Sequence, residues 1–218
     1  MPKPSVRFKC WLGFLFLLVS WIFLPQATQA QTETATGQNS KGEGQLVNGQ
    51  REGVWKFYYP GGRLMASESY RNGELNGLST NYFPDGNVSS VENWADDLQQ
   101  DSSWYFHSNG KLHRKGRYEK GVYQGLWLTF YPNGQLQQTG SYLDGLPAGV
   151  YQNWFDNGFL QETGVYREGK KDGQFVFYKR EKNNRISLIA TYCNDVPSGI
   201  WVHFTKRGKV KRLEKFEP

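Results

Sequence analysis

One spacing governs this chain. Glycines come in pairs four residues apart, and the pairs return every 24 residues: Gly49 and Gly53, Gly73 and Gly77, Gly121 and Gly125, Gly145 and Gly149, Gly169 and Gly173. Between Gly73 and Gly121 one copy keeps the spacing with Asp97 and Asp101 in place of both glycines. After Gly173 the step lengthens to 26, to Asp195 and Gly199, and the two added residues fall in the turn Glu181-Lys182-Asn183-Asn184. Two aromatic positions keep the same step, one from Tyr58 to Phe204 and one from Tyr70 to Phe216. Self-similarity at this period means tandem supersecondary units, each burying its apolar face only against its neighbours.

The unit reads as a β-hairpin. Asn-Gly and Asp-Gly supply the positive φ angles of two-residue hairpin turns. The flanking segments (VWKFYY, LWLTFY, FVFY) are aromatic and β-branched, which suits a pleated surface. A second turn follows the first aromatic, as in Pro60-Gly61-Gly62 and Pro132-Asn133-Gly134. The pattern predicts an all-β chain, an elongated antiparallel meander or solenoid of about seven hairpin repeats over residues 46–218. Fourteen strands at about 4.8 Å each would reach on the order of 65 Å. Trp55 and Tyr58 are three apart, so either both faces carry aromatics or a bulge corrects the register.

What precedes the repeats has a different composition. Lys3, Arg7 and Lys9 are followed by an apolar run to Leu24 and then by Thr28 and Ala30, small residues at −3 and −1 of a cleavage site. Residues 1–30 are expected to be a signal peptide cut after Ala30, with an N-terminal membrane anchor as the alternative, because the run is shorter than the roughly 20 residues of a spanning helix. The mature chain would then be secreted or periplasmic. Residues 31–45 are mostly polar, rich in Thr, Gln and Gly, without apolar pattern, and read as a flexible linker. Cys193 would be the one remaining thiol, expected to be buried beside Tyr192.

The run G-x-W-x-x-Y-Y-P-x-G-x-L followed by Y-x-x-G-x-x-x-G resembles the MORN repeat in its bacterial YwqK-like variant. Gly53, Trp55, Tyr58, Tyr59, Pro60, Gly62 and Leu64 carry the likeness, as do Gly125, Trp127, Phe130, Tyr131, Pro132, Gly134 and Leu136. The resemblance implies a non-catalytic scaffold for protein association, with membrane contact proposed for some members. Many bacterial members are labelled antitoxins, a role that fits an exported chain poorly.

Little else points to chemistry. His107 and His113 are six apart with no acid or Cys between them, a spacing that matches no metal motif. The Gly-rich loops lack the Gly-Lys-Ser/Thr ending of a phosphate cradle. Glu92, Asp96, Asp97 and Asp101 cluster, but glycoside hydrolysis needs a cleft with fixed carboxylate separation. No enzyme, metal, cofactor or small-molecule substrate is therefore expected.

The formal charge of +6 falls to +3 without Lys3, Arg7 and Lys9, since 23 basic residues then face 20 acids. The surplus lies at the C-terminal end. Lys206, Arg207, Lys209, Lys211, Arg212 and Lys215 are the candidate binding residues, suited to an anionic lipid surface or acidic polysaccharide. A protein partner is the leading expectation, and nucleic acid is not expected for an exported chain.

Overall fold

The computed structural model describes residues 31–37, 40–181 and 183–217. The expected signal peptide lies outside them. Among the described residues eighteen strands run in chain order: β1 (Gln31–Gly37), β2 (Ser40–Val47), β3 (Gln50–Tyr58), β4 (Leu64–Arg71), β5 (Glu74–Tyr82), β6 (Val88–Ala95), β7 (Leu98–Gln99), β8 (Asp101–Phe106) and β9 (Leu112–Glu119). They continue as β10 (Val122–Phe130), β11 (Leu136–Leu143), β12 (Leu146–Trp154), β13 (Leu160–Arg167), β14 (Lys170–Lys171), β15 (Gly173–Tyr178), β16 (Ile186–Cys193), β17 (Val196–Phe204) and β18 (Val210–Phe216). Every pairing is antiparallel and joins sequence neighbours, except that β7 and β8 lie in line on β6, and β14 and β15 in line on β13. The all-β hairpin meander is therefore the fold.

Two kinds of turn alternate along the sheet. In the first, both central residues take positive φ, as at Asn48 (51°) and Gly49 (77°), the twist that closes a two-residue hairpin without splaying its strands. The Gly-deficient copies obey the same geometry, with Asp97 at 62° and Asp195 at 69°. Each Asp also caps the preceding loop: its Oδ1 accepts the backbone N–H of Leu75 (2.7 Å) or Lys171 (2.8 Å). In the second kind of turn, Gly62 N–H donates to Tyr59 O at 2.8 Å and Tyr59 N–H to Arg63 O at 2.9 Å. Here one positive-φ glycine ends the turn, as in hairpin loops built on a type I turn.

Neighbouring units are also tied at both edges of the sheet. Gly73 N–H donates to Arg51 O (2.9 Å) and Gly121 N–H to Gln99 O (2.8 Å). At the other edge the Tyr59 hydroxyl donates to Tyr82 O (2.7 Å) and the Tyr131 hydroxyl to Trp154 O (2.8 Å). These bonds satisfy turn carbonyls that a lone hairpin would leave to water.

Two readings of the sequence need correction, and one alternative that the spacing left open is decided. The sheet already includes residues 31–45, expected to be a linker before a repeat domain at 46–218: β1 and β2 pair from Gln31↔Leu46 to Gly37↔Ser40, and β2 pairs with β3. A polar stretch still pairs when it alternates β-branched Thr32, Thr34 and Thr36 and offers Gly44 as the seat of Trp55. Cys193 is exposed, because it is the last residue of β16, next to the turn Asn194-Asp195. Finally, aromatics occupy both faces. Trp55 lies over Gly44, whereas the Tyr58 hydroxyl reaches the carboxylate of Glu43 on the opposite side of β2. The register shift beside Tyr58 places an extra residue, Met65, on β4, so β3 keeps its alternation.

Candidate binding surface

The first face carries the core. Its middle row is Trp55, Ser79, Ser103, Trp127, Tyr151, Phe175 and Trp201, one from each repeat. Trp55 and Phe175 are 0% exposed and Trp127 4%, although no second layer covers them among the described residues. They achieve this by lying flat on the preceding strand. A Cβ built on Gly44, Gly116 or Gly164 would come within 2.3, 2.1 or 2.4 Å of the Trp55, Trp127 or Phe175 ring. Each indole then finds a backbone acceptor on the strand beneath it: Trp55 Nε1 to Gln45 O (3.1 Å), Trp127 Nε1 to Arg117 O (3.2 Å), Trp201 Nε1 to Thr191 O (3.0 Å). A buried indole N–H without such a partner would be costly.

Sequence reading missed the rule behind this, yet the signal is there. The residue eleven before each ring is Gly or Ala: Gly44, Gly116, Gly140, Gly164 and Ala190. Where serine replaces the ring, at Ser79 and Ser103, glutamate stands eleven before, at Glu68 and Glu92. The glutamate side chain takes the space of the absent ring. Glu92 is buried and accepts hydrogen bonds from Gln99 Nε2 and the Tyr105 hydroxyl, both at 2.6 Å. The Tyr70 hydroxyl donates to Glu68 at 2.5 Å and receives a bond from Arg51 at 3.0 Å. Ser103 Oγ is buried without a hydrogen-bond partner.

The outer rows of this face close the ladder. Arg51 lies over Trp55, Phe57 and Tyr70, Arg114 over Tyr105, Tyr123 and Trp127, and Lys171 over Phe175, Phe177 and Tyr192, at 4.7–6.0 Å. Cations so placed are attracted to the ring faces and cover them with their stems. Tyr118 stacks edge-on to Trp127 at 5.0 Å, and burial pushes its hydroxyl far above the usual tyrosine range. This face is largely satisfied from within.

The second face is open. Val54, Leu78, Leu126, Val150 and Ile200 occupy one row at the repeat step, and each is 51–58% exposed. Two residues further along the same set of strands, Trp104, Leu128, Val176 and Val202 are half-buried. Apolar side chains in a periodic row, rather than scattered singly, mark a surface with a use.

The six expected cationic residues do not share one patch. Lys206, Arg207 and Lys209 are exposed together at the β17–β18 turn. On β18, Arg212 lies on the ladder face, bonded to Glu214 at 2.9 Å and His203 at 3.1 Å. Lys215 pairs across from Ile200 on the open face, and Lys211 is the extra residue at the register shift. His107 and His113 are brought together, ring centroids 4.5 Å apart, but His107 Nε2 is engaged with Phe130 O at 2.9 Å. Burial, and then the His107 and Arg114 charges, lower the His113 pKa. No cluster of three metal-ligating side chains occurs among the described residues.

Residues 51–72 and 123–144 match the model of the MORN repeat variant. No curated protein matches the chain. Among solved structures, the crystal structure of TarM aligns at 15% identity over 59% of this chain and 20% of that one, with a TM-score of 0.19. This chain thus spans about a fifth of that structure's length, and the superposition supports no argument. Each matched segment begins in the first strand of a hairpin and includes the ring-bearing position, the glycine turn and the closing aromatic. The same register returns at every step from Gly49 to Phe216, so the two segments that match the MORN repeat variant are two copies within one tandem array.

Proposed function

We propose that this chain is an exported, non-catalytic repeat protein whose sheet is a binding surface for a protein partner. The observation that carries the reading is the division of labour between the faces. The ladder face engages most of its rings, indole N–H groups and cations internally, Trp94 Nε1 and Arg114 Nε excepted. The open face presents aliphatics at five of seven repeat positions, Ser102 and Gln174 holding the other two. A row with the pitch of the fold fits an extended partner better than a point ligand. Export rests on the N-terminal sequence of residues 1–30 and is checked by the mass of the protein recovered outside the cytoplasm, which should begin at Gln31. Binding is tested by affinity capture of tagged wild type against Leu78→Asp/Leu126→Asp. The variant should keep the wild-type circular dichroism and lose the captured partner. An unchanged set of captured proteins would refute the reading.

A second reading has one observation in its favour, the grouping of Lys206, Arg207 and Lys209 at a single turn. Flotation with anionic vesicles would then show binding that weakens with salt and disappears when those three are neutralised. No binding at low salt would eliminate it.

A further inference from the structure

One stretch of the open face departs from the repeat. The aliphatic row is broken twice, by Gln174 and by Ser102, and the serine is too short to fill a position that Leu78 and Leu126 fill one step to either side. A groove of about 360 Å³ opens there. Trp104, Leu126 and Leu128 give it apolar walls, and Lys115 and Arg117 of β9 give it charge.

The fold does not require these residues, because the other repeats do without them. At the repeat step Trp104 gives way to Thr80 and Leu128, Lys115 to Val91 and Thr139, and Arg117 to Asn93 and Ser141. Lys115 is half-buried, paired with Trp104 on one side and Leu128 on the other, and enters no salt bridge among the described residues. Arg117 meets Asp101 at 3.7 Å with both side chains more than half exposed, a contact of little energy. In line with Lys115 from β6 to β11 stand Val91, Trp104, Leu128 and Thr139, none of them acidic. Positive charge therefore borders an apolar hollow, with little negative charge to offset it.

Lys115 and Arg117 are two residues apart on one strand, so both side chains stand on the same face and can reach one carboxylate. We propose that the groove receives an acidic segment of the protein partner in which Glu or Asp neighbours an apolar residue. The carboxylate is held between Lys115 and Arg117, and the apolar side chain fills the space before Ser102, against Trp104 and Leu126. This rests on the protein-binding reading of the open face, to whose row Leu126 belongs, and names the partner's chemistry at one point of it. An acidic sugar would also meet the cations and the indole, but it would turn hydroxyls toward Leu126 and Leu128, whose side chains offer no hydrogen bond.

The test titrates the full mature chain with acetyl-Leu-Glu-Leu-Glu-amide and follows the indole N–H signal of Trp104 by heteronuclear NMR. The peptide should shift that signal, and less so at raised salt. Its Leu-Gln-Leu-Gln counterpart should bind about tenfold more weakly, and Lys115→Gln/Arg117→Gln should weaken the acidic peptide by about the same factor. Ser102→Leu restores the residue of the adjoining repeats, fills the groove from within and should abolish binding. An unchanged circular dichroism spectrum shows that each variant folds. No shift in wild type, equal response to the two peptides, or undiminished binding by either variant would overturn the proposal. A response to trigalacturonic acid in place of the peptide would overturn it in favour of a sugar. Partner capture keeps the two levels apart. A partner lost by Leu78→Asp/Leu126→Asp but kept by Lys115→Gln/Arg117→Gln and by Ser102→Leu sinks the groove and leaves the surface reading intact. Loss with all three variants, joined to the peptide result, supports both.

Discussion

At Gly116 two opposite effects of a single methyl group can be compared. Replacing glycine by alanine in a strand normally stabilises, by about 0.4–1 kcal/mol, because the unfolded chain loses freedom. Here the new Cβ would stand 2.1 Å from the Trp127 ring, and a buried ring held by its N–H bond to Arg117 O has little room to move. Overpacking of this kind costs about 1–3 kcal/mol and should win. Urea denaturation of Gly116→Ala is expected to show a lower midpoint than wild type. A higher midpoint would mean that the ring is not seated on the glycine. Tyrosines along the ladder respond to pH for a related reason. Burial, helped by Glu68 and Glu162 respectively, pushes Tyr70 and Tyr151 up to about 12. An unfolded tyrosine ionises near 10, so between these values the folded state binds more protons and stability falls as pH rises. Tyrosinate absorbance and circular dichroism should therefore change together above about pH 10. Titration of all tyrosines at their ordinary value with the fold intact would contradict it.

Elements differ in how they fill the middle row, and the Glu68–Ser79–Glu92–Ser103 stretch is where polar chemistry replaces rings. If glutamate substitutes for ring volume, the two positions must change together. Glu92→Gly alone removes the short carboxylate contacts of the Tyr105 hydroxyl and Gln99 amide and leaves them only the longer bonds to the Tyr118 and Tyr105 hydroxyls, and Ser103→Trp alone collides with Glu92. Each single change should cost about 1–3 kcal/mol. The double variant restores the glycine–tryptophan pair of the next repeat and should recover that loss, a coupling on the order of 1–3 kcal/mol in a double-mutant cycle. Additive effects would show that the pairing is accidental. The hairpins themselves were legible beforehand, because Asn-Gly, Asp-Gly and the flanking aromatics act through local backbone preference. The polar hairpin β1–β2 was not, since nothing apolar marks it and its seat for Trp55 matters only once β3 is alongside. The open-face row was hidden for a similar reason. Which of Val54 and Trp55 faces out depends on the register shift between Glu43 and Gln45, which sets residues 53–55 of β3 opposite Gly44 of β2.

Across the whole molecule each hairpin touches only its neighbours, so stability is a sum of units and interfaces. Trp127→Ala would remove about 3–5 kcal/mol of packing locally. Hydrogen exchange should then quicken in β9, β10 and β11 while β16–β18 keep wild-type protection. Uniform loss of protection along the sheet would indicate a single cooperative unit instead. The same architecture disperses charge. Turns of one kind all emerge along one edge of the sheet, which gathers Lys206, Arg207 and Lys209 while the alternation of β18 sends Arg212 and Lys215 to opposite faces. The sequence by itself determined the repeat, its step, the hairpin turns and the all-β class, because glycine conformation and side-chain alternation are local properties that need no partner strand. Only the tertiary structure decided which rings are buried, that Cys193 is exposed, that the cationic run divides, and that Tyr151 packs edge-on against Tyr166. Those outcomes depend on what lies across a strand at a separation of eleven or 24 residues, a distance that only the folded register converts into contact.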